Sequence, residues 1–107
     1  MNITFQSVHF KASPHLEEFV REKVSKLFDQ HEKIIRADVT LFEGASGNPR
    51  NQFCEIYLSL PGENKFVKKN SSSYEESVMK TIAALQKTLL RDNINRVTKR
   101  RKIPIQE

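Results

Sequence analysis

The stretch from Ser73 to Lys102 constrains the fold most, because it predicts one long helix with an apolar face that must be covered. Ser73 precedes Glu76 by three residues, which is the spacing of a capping box at the start of a helix. Apolar residues then recur at helical spacing along one stripe: Tyr74, Val78, Ile82, Leu85 and Leu89. A helix of this kind buries its stripe against another layer of the domain.

The same helix predicts a cationic face opposite the apolar stripe. Lys80, Lys87 and Arg91 are separated by seven and four residues. At about 100° per residue they fall close together, on the side away from the stripe. More basic residues follow towards the C-terminus: Arg96, Lys99, Arg100, Arg101 and Lys102. We expect this cationic face to stay exposed to solvent.

Positive charge is concentrated at the C-terminal end of the chain. The net charge is +5, yet residues 1–90 carry 12 Lys or Arg and 11 Asp or Glu, whereas residues 91–107 carry six and two. A cationic end favours a polyanion partner, either nucleic acid or anionic lipid, although basic residues also complement the dipole of a helix C-terminus. Four consecutive cations exceed that need, and the absence of Trp disfavours a membrane-surface helix. Nucleic acid is therefore the favoured partner.

The first third of the chain predicts a strand and a second amphipathic helix. Residues 2–10 alternate as a strand does, with a change of phase near Ser7 that indicates a bulge or a bend. Ser13 and Pro14 form a helix start. Residues 14–31 then carry one apolar face: Leu16, Phe19, Val20, Val24, Leu27 and Phe28. Lys23 and Lys26 flank that face, either as lysines whose stems cover its edge or as contacts to RNA.

Three further strands are predicted between the two helices, at residues 34–43, 52–60 and 65–71, with a tight turn at 61–64. The first of them places these residues on one side: Ile35, Ala37, Val39 and Leu41. The lysines of the last strand either keep an edge strand soluble or extend a basic surface: Lys65, Lys68 and Lys69. The order βαβββα, with two helices on one face of a four-stranded antiparallel sheet, predicts an α+β two-layer sandwich.

Three aromatic residues, Phe42, Phe53 and Tyr57, are expected on the face of the sheet away from the helices. Structural packing or modest exposure is the favoured interpretation of these rings, because an open sheet leaves some aromatic side chains exposed in any case. Stacking of RNA bases on the rings is the alternative.

No pattern in the sequence predicts a catalytic, metal or cofactor site. The three histidines lie far apart without metal-ligand spacing, and no glycine-rich loop is of a phosphate-binding type. Cys54, the only cysteine, alternates with apolar residues and is expected to be a core side chain in a reducing compartment. The N-terminus lacks a signal-peptide pattern, and no stretch approaches the roughly 20 apolar residues of a membrane span. We expect a cytoplasmic binding protein, not an enzyme.

The order of elements and two local patterns resemble a known family. The first helix reads LEEFV at 16–20, with Lys23 and Lys26 after it, and the next strand reads ADVTL at 37–41 behind Ile34. The last helix keeps its apolar and basic residues in one register: Tyr74, Val78, Ile82, Leu85, Lys87 and Leu89. Over residues 2–98 the chain resembles the short ribosome hibernation-promoting factors, the group that includes the ribosome-associated inhibitor protein of stationary phase.

The resemblance implies a βαβββα fold similar to a double-stranded-RNA-binding domain, here residues 1–98, followed by a basic C-terminal tail at 99–107. It implies a protein that binds rRNA and ribosomal proteins of the small ribosomal subunit, in the channel used by mRNA and by tRNA at the A and P sites. Translation then stops, and idle ribosomes are preserved under stress or in stationary phase. No cofactor is implied, and the C-terminal dimerisation domain of the long form is absent.

The resemblance also implies RNA contacts from the basic residues of both helices: Lys23, Lys26, Lys80, Lys87, Arg91, Arg96, Lys99, Arg100 and Arg101. Two other hypotheses remain. One is a generic RNA- or DNA-binding module without ribosome specificity. The other is a protein-interaction domain whose basic tail only aids solubility.

Overall fold

Two helices cover one face of a four-stranded sheet, as the sequence predicts. The computed structural model describes residues 2–45, 47 and 49–105, with side chains as far as Arg91. The elements are, in chain order, β1 (Asn2–Val8), α1 (Pro14–Gln30), β2 (Arg36–Glu43), β3 (Gln52–Leu60), β4 (Glu63–Ser71) and α2 (Tyr74–Ile105). The predicted βαβββα order and the two-layer α+β architecture are confirmed.

The sheet is mixed, so the expectation of a fully antiparallel sheet was wrong. The strands lie in the order β1-β2-β3-β4, with β1 parallel to β2 and the other neighbours antiparallel. The cause is the connection, because α1 crosses over between β1 and β2 and returns the chain to the end where β1 began. The β3–β4 hairpin turns through Pro61 and Gly62 alone, since Leu60 already pairs with Glu63. Gly62 has a φ of +79°, which favours glycine at this position.

Strand β1 ends earlier than predicted and contains no bulge. Its seven residues pair one to one with β2, so the register is unbroken at Ser7. His9 then adopts a positive φ of 67° and turns the chain out of the sheet. Phe10 lies beyond the strand, where its ring stacks on Tyr74 with centroids 4.7 Å apart. The apolar phase therefore changes for two reasons: Val8 pairs with Phe42 on the face of the sheet away from the helices, and Phe10 lies beyond the strand.

The apolar core lies between the helices and the sheet and includes the stripes predicted for both helices. Its buried members are Leu16, Val20, Val24, Leu27, Ile34, Ala37, Val39, Leu41, Cys54, Ile56, Leu58, Val78, Ile82, Leu85 and Leu89. One prediction for β2 is wrong, because Ile35 is 54% exposed whereas Ile34 is buried. The backbone N–H of Ile34 donates to the His31 carbonyl in the turn after α1. This turn directs Ile34, not Ile35, into the core.

Serine hydroxyls cap both helices, as predicted. Ser13 Oγ accepts from the backbone N–H of Leu16 at 3.1 Å. Ser73 Oγ accepts from the backbone N–H of Glu76 at 3.2 Å. The Glu76 carboxylate accepts from the Ser71 hydroxyl, and this hydrogen bond holds the pKa of Glu76 below its ordinary value. The start of α2 is thus fixed to the end of β4.

Removing the cap of α2 should destabilise the fold. Ser73→Ala removes the acceptor for the Glu76 N–H, and we expect a loss of about 1 kcal/mol in the free energy of unfolding, measured by urea denaturation. Ser72→Ala is the matched control, because Ser72 is an exposed serine one residue outside the cap. Equal losses in the two variants would contradict the capping role.

Burial should protect the Cys54 thiol from reagents. Cys54 is fully buried in β3, and this desolvation raises its pKa to about 12, so the reactive thiolate is scarce. We expect an aromatic disulfide reagent to label the native protein far more slowly than the urea-unfolded protein at mildly alkaline pH. Labelling of the native protein at the unfolded rate would exclude a core position for Cys54.

Candidate nucleic-acid interface

A groove of about 740 Å³ runs between α2 and the edge strand β4. It is lined by Arg50, Lys69, Asn70, Lys80, Ala83, Ala84 and Lys87. Four of these seven described residues are cations, and none of the seven is acidic. We call this surface the cationic groove.

Helix α2 reaches the groove because its opposite side is fixed to the sheet. The predicted apolar stripe is buried, and two hydroxyl side chains extend it. The Ser77 hydroxyl donates to the Gln52 carbonyl of β3, and the Thr81 hydroxyl lies 3.3 Å from the Cys54 carbonyl oxygen. With these residues held against β3, the helical repeat turns Lys80 and Lys87 outward, away from the core.

Small side chains give the groove its space. Ala83 and Ala84 lie between Lys80 and Lys87 along α2, and both alanines line the groove. Because the groove-lining side chains between the two lysines are short, an elongated ligand can approach the backbone of α2 closely. The two ammonium groups then lie about two helical turns apart along the groove.

The edge strand β4 supplies Lys69, for which the sequence allowed two roles: keeping an edge strand soluble or extending a basic surface. Lys69 pairs with Cys54 across β3 and β4. Paired residues share a face of the sheet, so Lys69 lies on the helix side, and it is exposed because β4 is the edge strand. Its neighbour Lys68 lies on the other face. The structure therefore assigns Lys69 to the cationic groove.

Arg50 is a groove residue that sequence reasoning missed. It lies in the loop between β2 and β3, where no pattern in the sequence distinguishes it as a binding residue. The side-chain amide of Asn70 donates to the Arg50 carbonyl at 2.8 Å and joins this loop to β4. No local pattern in the sequence reveals this contact, because it links residues 20 positions apart.

Lys80 already has a partner, but an exchangeable one. Its ammonium lies 3.5 Å from Glu76 Oε1, one turn earlier on α2, and both side chains are about half exposed. An ion pair between two exposed side chains contributes little to stability. A phosphate can therefore replace the carboxylate at little cost.

Arg91 is also exposed and lies one turn after Lys87, beyond the residues that line the groove.

The two predicted lysines of α1 lie apart from the groove. Lys23 is half-buried, with its ammonium 5.5 Å from the centroid of the Phe19 ring, whereas Lys26 is exposed. Gln30, four residues after Lys26, accepts a hydrogen bond from Gln86 of α2. Residues four apart share a flank of a helix. Lys26 thus lies on the flank of α1 that faces α2, in the same helical layer as the groove but not in it.

The remaining predicted RNA contacts fall outside the described side chains: Arg96, Lys99, Arg100 and Arg101. The backbone of α2 continues through these positions to Ile105. Their roles and the domain boundary at residue 98 stay predictions.

The cationic groove can neutralise phosphates with its three lysines and Arg50. Among the described residues, no three His, Cys, Asp or Glu side chains lie close enough to hold a metal ion. In the same residues, neither helix has an apolar stretch that could cross a bilayer. What the groove offers is a set of fixed cations beside a helix backbone, which suits a phosphodiester backbone.

Comparison with known structures finds the same fold in several solved proteins, including the following two. A ribosomal subunit interface protein from Coxiella burnetii superposes with a TM-score of 0.77 at 17% identity, covering 88% of this chain and 99% of that chain. The N-terminal domain of Protein Y from Thermus thermophilus superposes with a TM-score of 0.71 at 20% identity, covering 85% and 98%. At such identities the likeness concerns the fold alone.

The comparison with curated proteins gave no match. A family model described as Sigma 54 modulation protein / S30EA ribosomal protein matches residues 3–96, which is most of the chain and includes α1, nearly the whole sheet and α2 as far as Arg96. This match confirms the family resemblance predicted from the sequence. The chain therefore belongs to the Sigma 54 modulation protein / S30EA ribosomal protein family.

Proposed function

We propose that this protein is a ribosome hibernation factor that binds the small ribosomal subunit in the channel of mRNA and tRNA and blocks translation by occupying it. The cationic groove is the observation that carries the proposal. The family description names a ribosomal protein, and the Coxiella burnetii relative is called a ribosomal subunit interface protein. Both names support a ribosomal partner.

The physical basis is recognition of RNA by shape. Folded RNA presents its phosphates and 2′-hydroxyls more readily than its base edges, so a rigid surface with fixed cations can recognise it. The groove meets this requirement, because α2 is packed on the sheet through buried side chains while its lysines face outward. Each phosphate neutralised releases counterions, and the affinity then depends steeply on salt.

Inhibition of this kind needs no chemical step. A protein that fills the channel excludes mRNA and tRNA for as long as it stays bound. The proposed protein is therefore a stoichiometric inhibitor that acts in the cytoplasm, where it would preserve idle ribosomes under stress or in stationary phase.

Co-sedimentation with ribosomes and with separated subunits tests the proposal. We expect binding to the small subunit and to whole ribosomes that is lost at high salt and lost when mRNA and tRNA fill the channel. Equal binding to any RNA would contradict ribosome specificity and favour a generic RNA-binding module. Absence of binding at low salt would contradict the proposal and favour a protein-interaction domain.

Charge removal in the groove should weaken that binding. The double variant Lys80→Ala with Lys87→Ala removes two exposed cations that lie before and after the two groove alanines along α2. We expect small-subunit affinity to fall roughly tenfold, and the slope of log affinity against log salt to become shallower by about 2.

A charge-matched variant serves as the control for this experiment. Lys11→Ala with Lys33→Ala also removes two exposed cations, but these lie in the connections before and after α1 and do not line the groove. We expect this variant to bind like the parent protein. Equal weakening by both double variants would mean that net charge, not the groove, determines the affinity.

A further inference from the structure

The face of the sheet away from the helices carries an aromatic patch that the proposed function does not use. The strand registers pair Phe42 with Phe53 and Tyr57 with Phe66. All four alternate along their strands with residues of the core side, so they lie on the open face. We call this set the aromatic patch. The expected position of Phe42, Phe53 and Tyr57 is therefore correct, and Phe66 joins them.

The two pairs of the patch differ in their surroundings. The rings of Phe42 and Phe53 stack on each other, with centroids 4.9 Å apart and planes 6° from parallel. Tyr57 and Phe66 are 38% and 56% exposed. Packing thus accounts for the first pair, because its members cover each other. It does not account for the second pair, whose rings present free surface to solvent at the β4 edge.

A cation, Lys68, lies on the same face as the exposed pair. Lys68 is exposed on the open face, and its ammonium lies 5.7 Å from the centroid of the Phe53 ring. Lys69, the next residue, belongs to the cationic groove on the other side of the same strand. The edge strand therefore carries positive charge from the groove around to the aromatic patch.

We propose that the aromatic patch binds single-stranded RNA, with unpaired bases stacked on Tyr57 and Phe66 and a backbone phosphate beside Lys68. Every base has a π-face, so exposed rings on a sheet accept bases irrespective of sequence. The exposed ammonium of Lys68, on the same face as the rings, complements a phosphate that accompanies those bases. The site is separate from the groove and does not depend on binding to the ribosome.

The polar surroundings of the rings favour RNA over a second copy of this chain as the occupant. A second copy that docked its own patch here would bury these polar groups twice. The rings are flanked by the exposed Asn64, by Glu55, which pairs with Lys68 across the strands, and by Asp38, which pairs with Tyr57. Charged and polar groups of this kind are depleted in the centres of protein interfaces. They suit base edges, which offer hydrogen-bond donors and acceptors.

Tyrosine fluorescence provides a direct probe of the patch. The chain has no Trp and two Tyr residues. Tyr74→Phe keeps an aromatic ring against Phe10 and leaves Tyr57 as the sole tyrosine. In this background, oligo(U) and oligo(A) of about ten nucleotides should quench the fluorescence of Tyr57 as bases stack on it. Absence of quenching together with absence of binding by fluorescence anisotropy would overturn the proposal.

Substitution of the exposed pair tests the role of the rings. Tyr57→Leu with Phe66→Leu keeps apolar side chains on the strands but removes both π-faces. We expect the affinity for the oligonucleotides to fall about tenfold or more. Ile35→Ala with Leu90→Ala is the control, because it removes two other exposed apolar side chains outside the patch and should leave the affinity unchanged.

Two outcomes would contradict the proposal. One is an equal affinity of the leucine variant and the parent protein for single-stranded RNA. The other is a loss of self-association in the leucine variant, seen by sedimentation velocity, with RNA affinity unchanged, which would identify the patch as an interface between copies. A ribosome-binding defect of the Lys80 and Lys87 variant bears on the groove alone, so the two proposals can fail separately.

Discussion

The packing of α2 on β3 is the contact on which the rest of the molecule depends. Val78 and Leu85 are fully buried in the core, and Ser77 and Thr81, also buried, place their hydroxyls against carbonyl oxygens of β3. An apolar stripe alone would allow a helix to shift or rotate on a sheet. Each hydroxyl also has an acceptor one turn earlier in the chain, the Ser73 carbonyl for Ser77 at 3.0 Å and the Ser77 carbonyl for Thr81 at 2.7 Å, so it is the additional contact with β3 that favours one orientation of the helix. The orientation of α2 follows, and with it the position of every cation on its outer side.

The same packing divides the surface of the domain into two faces with different chemistry. On the helix side, lysines from α2 and β4 surround small alanines and form a groove with excess positive charge. On the open side, charges are paired or balanced, as in the ion pair of Arg36 and Asp38 at 3.1 Å, and aromatic rings dominate near β4. The edge strand β4 belongs to both faces, since its side chains alternate between them.

Much of this fold can be predicted from local sequence patterns. The helical spacing in both apolar stripes and the serine caps identify α1 and α2, and alternation identifies β2 and β3 correctly. These features depend on interactions between residues close in the chain. The parallel pairing of β1 could not be predicted from local patterns. The turn at His9 depends on how the chain leaves the sheet after β1. The burial of Ile34 in place of Ile35 depends on how the chain leaves α1 towards β2.

The residues of the candidate site also divide into those that local sequence patterns predict and those that depend on contacts distant in the sequence. Lys80 and Lys87 could be assigned to one exposed face from their spacing alone. Lys69 could be assigned to the groove only from the register of β3 and β4, and Arg50 only from the contact of its loop with Asn70. Periodicity along one element predicts which side of that element is exposed. It does not predict which other element lies beside that side.

Site-specific cross-linking would show whether the cationic groove contacts rRNA of the small ribosomal subunit. A photoreactive residue in place of Ala83, which is exposed on the groove floor, reports what lies in the groove when the protein is bound to ribosomes. We expect cross-links to rRNA of the small subunit from position 83, and far fewer when the photoreactive residue replaces Lys11 instead. Cross-links only to the large subunit, or equal cross-linking from the two positions, would contradict it.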